Sequence, residues 1–133
     1  MDPEEERILK ELVDKKMLKG TFFMDVGFGT DDYMGVVDAV CVEGLEPDIE
    51  PRILPSRWWR ALLDVMREKM KKVILIEVKK ELNYEAIGQI IVYRHVFPKV
   101  WGFPVLGSAI VCRVSNKTLE GICSLNGIHV FKV

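Results

Sequence analysis

The chain is poor in the residues that build metal clusters or crosslinked scaffolds. Its 133 residues include three cysteines and two histidines. Cys41, Cys112 and Cys123 are odd in number, none sits in a CxxC pair, and His95 and His129 lie far from them. That spacing excludes a tetrahedral zinc site and gives no disulfide framework, so the cysteines read as small buried apolar side chains. No apolar run approaches the ~20 residues that span a bilayer. The opening stretch MDPEEERILKEL is acidic where a signal peptide is basic and then apolar. The expectation is a cytoplasmic, intracellular protein without a membrane partner. Side-chain amides are also scarce, limited to Asn83, Gln89, Asn116 and Asn126. Beside abundant Glu, Lys and Ile, that scarcity points to a thermophilic source.

With 49% hydrophobic and 29% charged residues, the chain has the composition of an ordinary folded protein rather than a disordered one. Its length is that of one domain, and residues 1–133 are expected to form one. The net charge of −1 conceals an asymmetry. Residues 1–50 carry 14 acidic against 5 basic side chains, and residues 51–133 carry 6 against 14. Arg52, Arg57, Arg60, Arg67, Lys69, Lys71 and Lys72 crowd one stretch. A face of this kind steers a polyanion, or is simply the solvated side of a helix.

Pro3 onward reads as a helix, with Asp2 as N-cap, Ile8, Leu9, Leu12 and Val13 at helical spacing, and Gly20 as its end. TFFMDV is a strand and GFGTDD a turn, since Gly27 and Gly29 are too few glycines for a phosphate loop. GVVDAVCVE is a second strand, followed by a loop with three prolines. From Ser56, RWWRALLDVMREKMKK is amphipathic, and residues about 44–72 form a basic helical insertion. VILIEV is a strand buried on both faces. After Asn83 a helix runs until Pro98 ends it, then come the strand VLGSAIVCRV, a short helix capped by Ser115 or Asn116, and the strand IHVFKV. The fold class is α/β, with a central mixed sheet and helices on both faces.

Two acidic residues sit where acids are costly. Asp38 interrupts the apolar run GVVDAVCV, and Glu77 closes VILIEV with Lys79 two residues on. Alternation along a strand puts Glu77 and Lys79 on one side. A buried carboxylate needs a partner, and a hard divalent cation, which takes carboxylate and carbonyl oxygens, is one. Asp38, Glu77 and the Val78 carbonyl would bind the ion, and Lys79 would hold or deprotonate a water attacking a phosphodiester.

Asp38 in a short strand, Glu77-Val78-Lys79 ending a buried one, and a following helix with Gln89 and Tyr93 resemble the PD-(D/E)xK nuclease superfamily. GQIIVY is similar to the QxxxY element of the branch that includes RecB and lambda exonuclease. The layout of roughly residues 1–115 also resembles archaeal Holliday-junction resolvases. The resemblance implies a restriction-endonuclease-like core and a nuclease using Mg²⁺ or Mn²⁺, with nucleic acid, by preference DNA, as substrate. It further implies a homodimer and a metal-site Glu from the first helix, for which Glu6 is chosen among Glu4, Glu5, Glu6 and Glu11. Gln89 and Tyr93 would orient the site, and Arg57, Arg60, Arg67, Lys80 and Arg94 are the candidate nucleic-acid contacts. The proline of the motif's name is absent, since Val37 precedes Asp38.

Trp58 and Trp59 are expected in a nucleic-acid arm or a dimer contact, and Trp101 and Phe103 either cap the core or stack on bases. His95 and His129 receive no role. A non-catalytic nucleic-acid-binding or scaffold relative of the same fold is the alternative. An unrelated interaction domain would separate Asp38 and Glu77 by more than about 8 Å, too far to share one ion.

Overall fold

The computed structural model describes residues Met1–Val133. In chain order its elements are α1 (Pro3–Asp14), β1 (Thr21–Gly29), β2 (Met34–Val42), β3 (Arg52–Leu54) and α2 (Arg57–Glu68). These are followed by β4 (Val73–Glu81), α3 (Tyr84–Trp101), β5 (Val105–Val114), α4 (Lys117–Leu125) and β6 (Ile128–Lys132). The six strands form one mixed sheet in the order β3-β1-β2-β4-β5-β6. β2 runs antiparallel to both of its neighbours, β1 and β4, while β3 runs parallel to β1, and β4, β5 and β6 run parallel to one another. Helices cover both faces, as the sequence predicts. Ile8, Leu9, Leu12 and Val13 of α1 pack on Phe22, Ile76 and Val78 on one face. On the other, α2, α3 and α4 bring Trp59, Met66, Ile90, Phe97 and Cys123 against Phe23, Val40, Leu75 and Ile110. All three cysteines are buried and free.

The structure departs from the sequence reading at several points. α1 stops at Asp14 rather than Gly20, because Lys16 turns the chain through a left-handed conformation (φ 53°). GFG is not a turn: β1 continues through it, pinned by the buried Phe28, whose ring meets Tyr93 and Phe97 edge-on at 5.1 and 5.8 Å. The proline-rich loop contains β3, a three-residue edge strand parallel to Thr21–Phe23. Edge strands tolerate flanking prolines, which is why the segment reads as loop. Pro98 does not end α3. It forgoes one helical bond, but the buried Phe97 and half-buried Val100 and Trp101 hold the last turn on the core. Gly102, at φ 83°, then closes the helix by donating to the Pro98 carbonyl. Asn116 rather than Ser115 caps α4, accepting from the Leu119 N–H at 2.9 Å.

The basic segment 44–72 is built into the sheet and the core rather than projecting from them. It supplies β3, and Trp59 of α2 is 2% exposed among the rings of Phe23, Phe97, Trp101 and Phe103. Trp59 is therefore no dimer contact, while Trp58 stays exposed.

Candidate active site

The β2–β4 ladder runs Cys41↔Ile74, Val40↔Leu75, Ala39↔Ile76 and stops. One step further, Asp38 lies opposite Glu77. There the Asp38 carboxylate takes the place of a ladder partner: the Val78 N–H donates to its Oδ2 at 2.8 Å. The Asp38 N–H in turn donates to Glu77 Oε1 at 3.4 Å. These two bonds set the carboxyl groups side by side in one gap, inside the separation that would rule out a shared ion. A strand residue directs its N–H and C=O to the same neighbour, so the Val78 carbonyl is aimed into the same gap.

The electrostatics of the pair follow from burial. Glu77 is 3% exposed. Desolvation, reinforced by the Asp38 charge, pushes its carboxyl up to about 9. Burial also raises Asp38, against the lowering effect of the Val78 N–H. Lys79, half-buried on the same strand side as Glu77, favours the charged form of both acids. No third His, Cys, Asp or Glu joins them to make a larger ligand cluster. A buried carboxylate, a half-buried one and a carbonyl are hard oxygen donors short of positive charge, and that set fits a divalent ion that keeps several of its own waters.

α3 stands over this corner. Asn83 caps it by accepting from the Ala86 N–H at 2.8 Å, which fixes the phase that turns Ile90, Tyr93 and Phe97 to the sheet. Tyr93 is 8% exposed. Burial and then the nearby Glu77 charge push its phenol up to about 12, so it stays a neutral donor. Gln89, one turn earlier, has a buried Oε1 with no hydrogen-bond partner.

The N-terminal glutamate whose charge reaches Asp38 is Glu5, not Glu6. Glu6 is fully on the solvent side, whereas Glu5 falls in line with the apolar stripe Ile8-Leu9-Leu12-Val13 that faces the sheet. Glu5 is also engaged in α1's capping box, where its Oε1 accepts from the Asp2 N–H at 3.0 Å.

Asp25 is a site residue that the sequence reading passed over. It lies on β1 opposite Asp38, between the pairs Met24↔Ala39 and Val26↔Val37. It is half-buried, left-handed at φ 51°, and its Oδ1 accepts from the Met1 ammonium at 3.0 Å. Around it the side-chain alternation slips: Phe23 and Val26, three apart, enter the same core, and so do Val37 and Val40. A non-glycine residue at positive φ is uncommon and concentrates at functional sites. The available signal was an acid inside the apolar run TFFMDVGF.

The proposed nucleic-acid contacts divide. Arg57 and Arg60 are exposed and border a cleft of about 860 Å³ that begins at Asp25, Val36 and Tyr93. The other three are occupied within the fold. Arg67 donates to the Trp101 carbonyl at 3.3 Å and lies over the Phe103 ring. Arg94 donates to the Asn126 carbonyl, and Lys80 pairs with Asp2 and Glu4 at 3.5 and 3.3 Å. Phe103 caps the core at 3% exposure, and Trp101 walls the cleft. His95 is exposed, and His129 stacks at 4.4 Å on Phe131.

No family model matches the sequence, and no curated protein matches it. Among solved structures, the fold is similar to the crystal structure of a repair endonuclease from Pyrococcus abyssi, with a TM-score of 0.56 and 14% identity over 100% of this chain and 47% of that one. It is also similar to the structure of the EndoMS-dsDNA2 complex, with a TM-score of 0.55 and 11% identity over 97% of this chain and 44% of that one. The chain thus spans less than half the length of either neighbour. At such identities the likeness is one of fold: the α/β architecture is shared with these two structures.

Proposed function

We propose that this chain is a divalent-metal-dependent nuclease of the PD-(D/E)xK type that hydrolyses phosphodiester bonds, with DNA as substrate. The observation that carries the reading is the Asp38–Glu77 pair in the split between β2 and β4, Glu77 buried and Asp38 half-buried, with Lys79 two residues on. A carboxylate pair in an apolar sheet lowers stability unless it serves a ligand. Asp38, Glu77 and the Val78 carbonyl would hold Mg²⁺ or Mn²⁺, with Glu5 rather than Glu6 as the helical acid nearest the site. The ion supplies Lewis-acid stabilisation of charge developing on the phosphate. Lys79 would hold the attacking water and take its proton, while Tyr93 and Gln89 orient the side of the site under α3. One solved neighbour is described as a repair endonuclease and the other as the EndoMS-dsDNA2 complex, which supports the same reading. A symmetric homodimer would place two such sites for paired cuts.

The test is incubation of the purified protein with linear, single-stranded, nicked and four-way-junction DNA in Mg²⁺ or Mn²⁺, beside Glu77→Gln. Metal-dependent cleavage by the wild type and none by the variant is the expected result. One observation favours a second reading, a nucleic-acid-binding protein that does not cut: no third protein ligand completes the pair. Binding without cleavage on every substrate would establish it.

A further inference from the structure

α1 and α2 turn charged side chains to solvent, Glu6 and Lys10 on the first, Arg57 and Asp64 on the second. α3, the longest helix, differs. Ala86, Ile90, Tyr93 and Phe97 are buried on its sheet side, as in any covering helix. Its outer side carries charge only near the two ends, Glu85 in the first turn and Lys99 in the last. Between them Gly88, Val92 and His95 are exposed. A helix that lacks a polar face is normally covered. Here Tyr84 is 83% and Val92 41% exposed, so the chain itself leaves this side open.

Two features of the open side say what covers it. The first is Gly88. It stands inside the helix, where glycine is weaker than alanine. Its φ is not positive, and a Cβ added there would meet no atom within 4 Å. Nothing within the chain requires a glycine, so the bare backbone suits a close approach from outside. The second is the placing of the charges. Glu85 and Lys99 each stand seven residues from Val92, on either side of it. Seven residues are about two helical turns, which puts all three on one face. Neither charge has an ion-pair partner within the chain. A face with an acid at one end, a base at the other and Val92 midway is complementary to itself run backwards. Set antiparallel about a two-fold axis at Val92, a second copy places its Lys99 opposite Glu85 and its Glu85 opposite Lys99. Gly88 then lies under His95 and Val96 of the second copy and gives them room.

We infer that the outer face of α3 is a homodimer interface, on which a second copy of this chain packs its own α3 antiparallel. Val92 sits at the axis, and a Glu85–Lys99 ion pair closes each end. The inference supplies a surface for the homodimer proposed above and holds whether or not the chain cuts nucleic acid. The face lies on the far side of α3 from Ile90 and Tyr93, so the pairing leaves Asp38 and Glu77 uncovered in both copies. One helix pair of this length makes a small interface, and the association is reversible and concentration-dependent.

The test is sedimentation equilibrium in EDTA at low salt, from micromolar to millimolar protein. Wild type is expected to pass from monomer to dimer. Glu85→Lys and Lys99→Glu should each weaken the dimer roughly 10-fold, because each turns two attractive pairs into repulsive ones. The double exchange should restore it. Val92→Glu, which sets like charges together at the axis, should abolish it. Glu85 and Lys99 are exposed, so their exchanges decide even if Val92→Glu fails to fold. A wild type that stays monomeric throughout would overturn the inference. So would a dimer indifferent to the single exchanges, or one that the double exchange fails to restore. A dimer of this kind that cuts none of the DNA substrates in Mg²⁺ would overturn the nuclease reading and leave the interface standing, whereas cleavage by a protein that stays monomeric would do the reverse.

Discussion

Two glutamates, one in the loop before β3 and one on β4, separate what holds the fold from what the fold holds. Glu50, in the loop before β3, accepts from the Thr21 hydroxyl at 2.7 Å and from the Gly44 and Glu46 N–H groups at 2.9 and 3.0 Å. Burial alone would raise its carboxyl, but these donors outweigh it and hold the group below the usual range. Glu77 is more deeply buried, receives one long N–H bond, faces a second acid, and is pushed far up. A carboxylate surrounded by its own chain's donors is a clamp for a loop. One buried against another carboxylate is poised for something the chain does not supply.

The largest expected difference between the two is in catalysis. Asp38→Asn, which can still accept the Val78 N–H, should lower metal-dependent cleavage by ~10³-fold or more and leave the fold intact, whereas Glu50→Gln should leave the rate per folded molecule unchanged. Lys79→Met should lower the rate by ~10²–10⁴-fold, as expected for a lost proton acceptor, while calorimetry still detects Mn²⁺ binding. In stability the order reverses. Glu50→Gln leaves a hydroxyl and two backbone donors with a weaker acceptor and should cost about 2 kcal/mol by chemical denaturation.

The two glutamates also differ in how they respond to pH. The raised carboxyl of Glu77 contributes stability that is fully present below its ordinary value of 4.5 and is lost as pH rises through about 9. Glu50, lowered from 4.5, contributes stability present above that value and lost as pH falls below it. The metal-free protein should therefore melt a few degrees lower at pH 9 than at pH 6. Glu77→Gln should flatten the alkaline limb, and Glu50→Gln the acid limb.

Much of the site was legible because carboxylates stand out in apolar strands. Asp38 within GVVDAVCV and Glu77 at the end of VILIEV carry their cost in the sequence itself, and the antiparallel register brings them together. The helix phase of Gln89 and Tyr93 was legible for the same reason that α3 is: Asn83 sets its start. What escaped depends on contacts distant in sequence. β3 exists because its three residues pair with Thr21–Phe23, against the local signal of two prolines. The slip at Asp25 needs both strands of the hairpin to be seen at once. Whether an arginine faces solvent or a carbonyl, as with Arg60 and Arg94, is decided by packing partners from other elements. That Glu5 rather than Glu6 turns toward the sheet was available from the stripe of α1 itself.

Asp38 and Glu77, held together in the apolar sheet, should lower the stability of the metal-free protein and regain it with a cation. The most direct measurement is the thermal melting of the wild type and Glu77→Gln at pH 8, in EDTA and then in excess Mg²⁺. The variant is expected to melt higher in EDTA, by a margin of about 1–3 kcal/mol, and only the wild type is expected to gain from Mg²⁺. A variant that melts no higher than wild type in EDTA, together with a wild type indifferent to Mg²⁺, would contradict it.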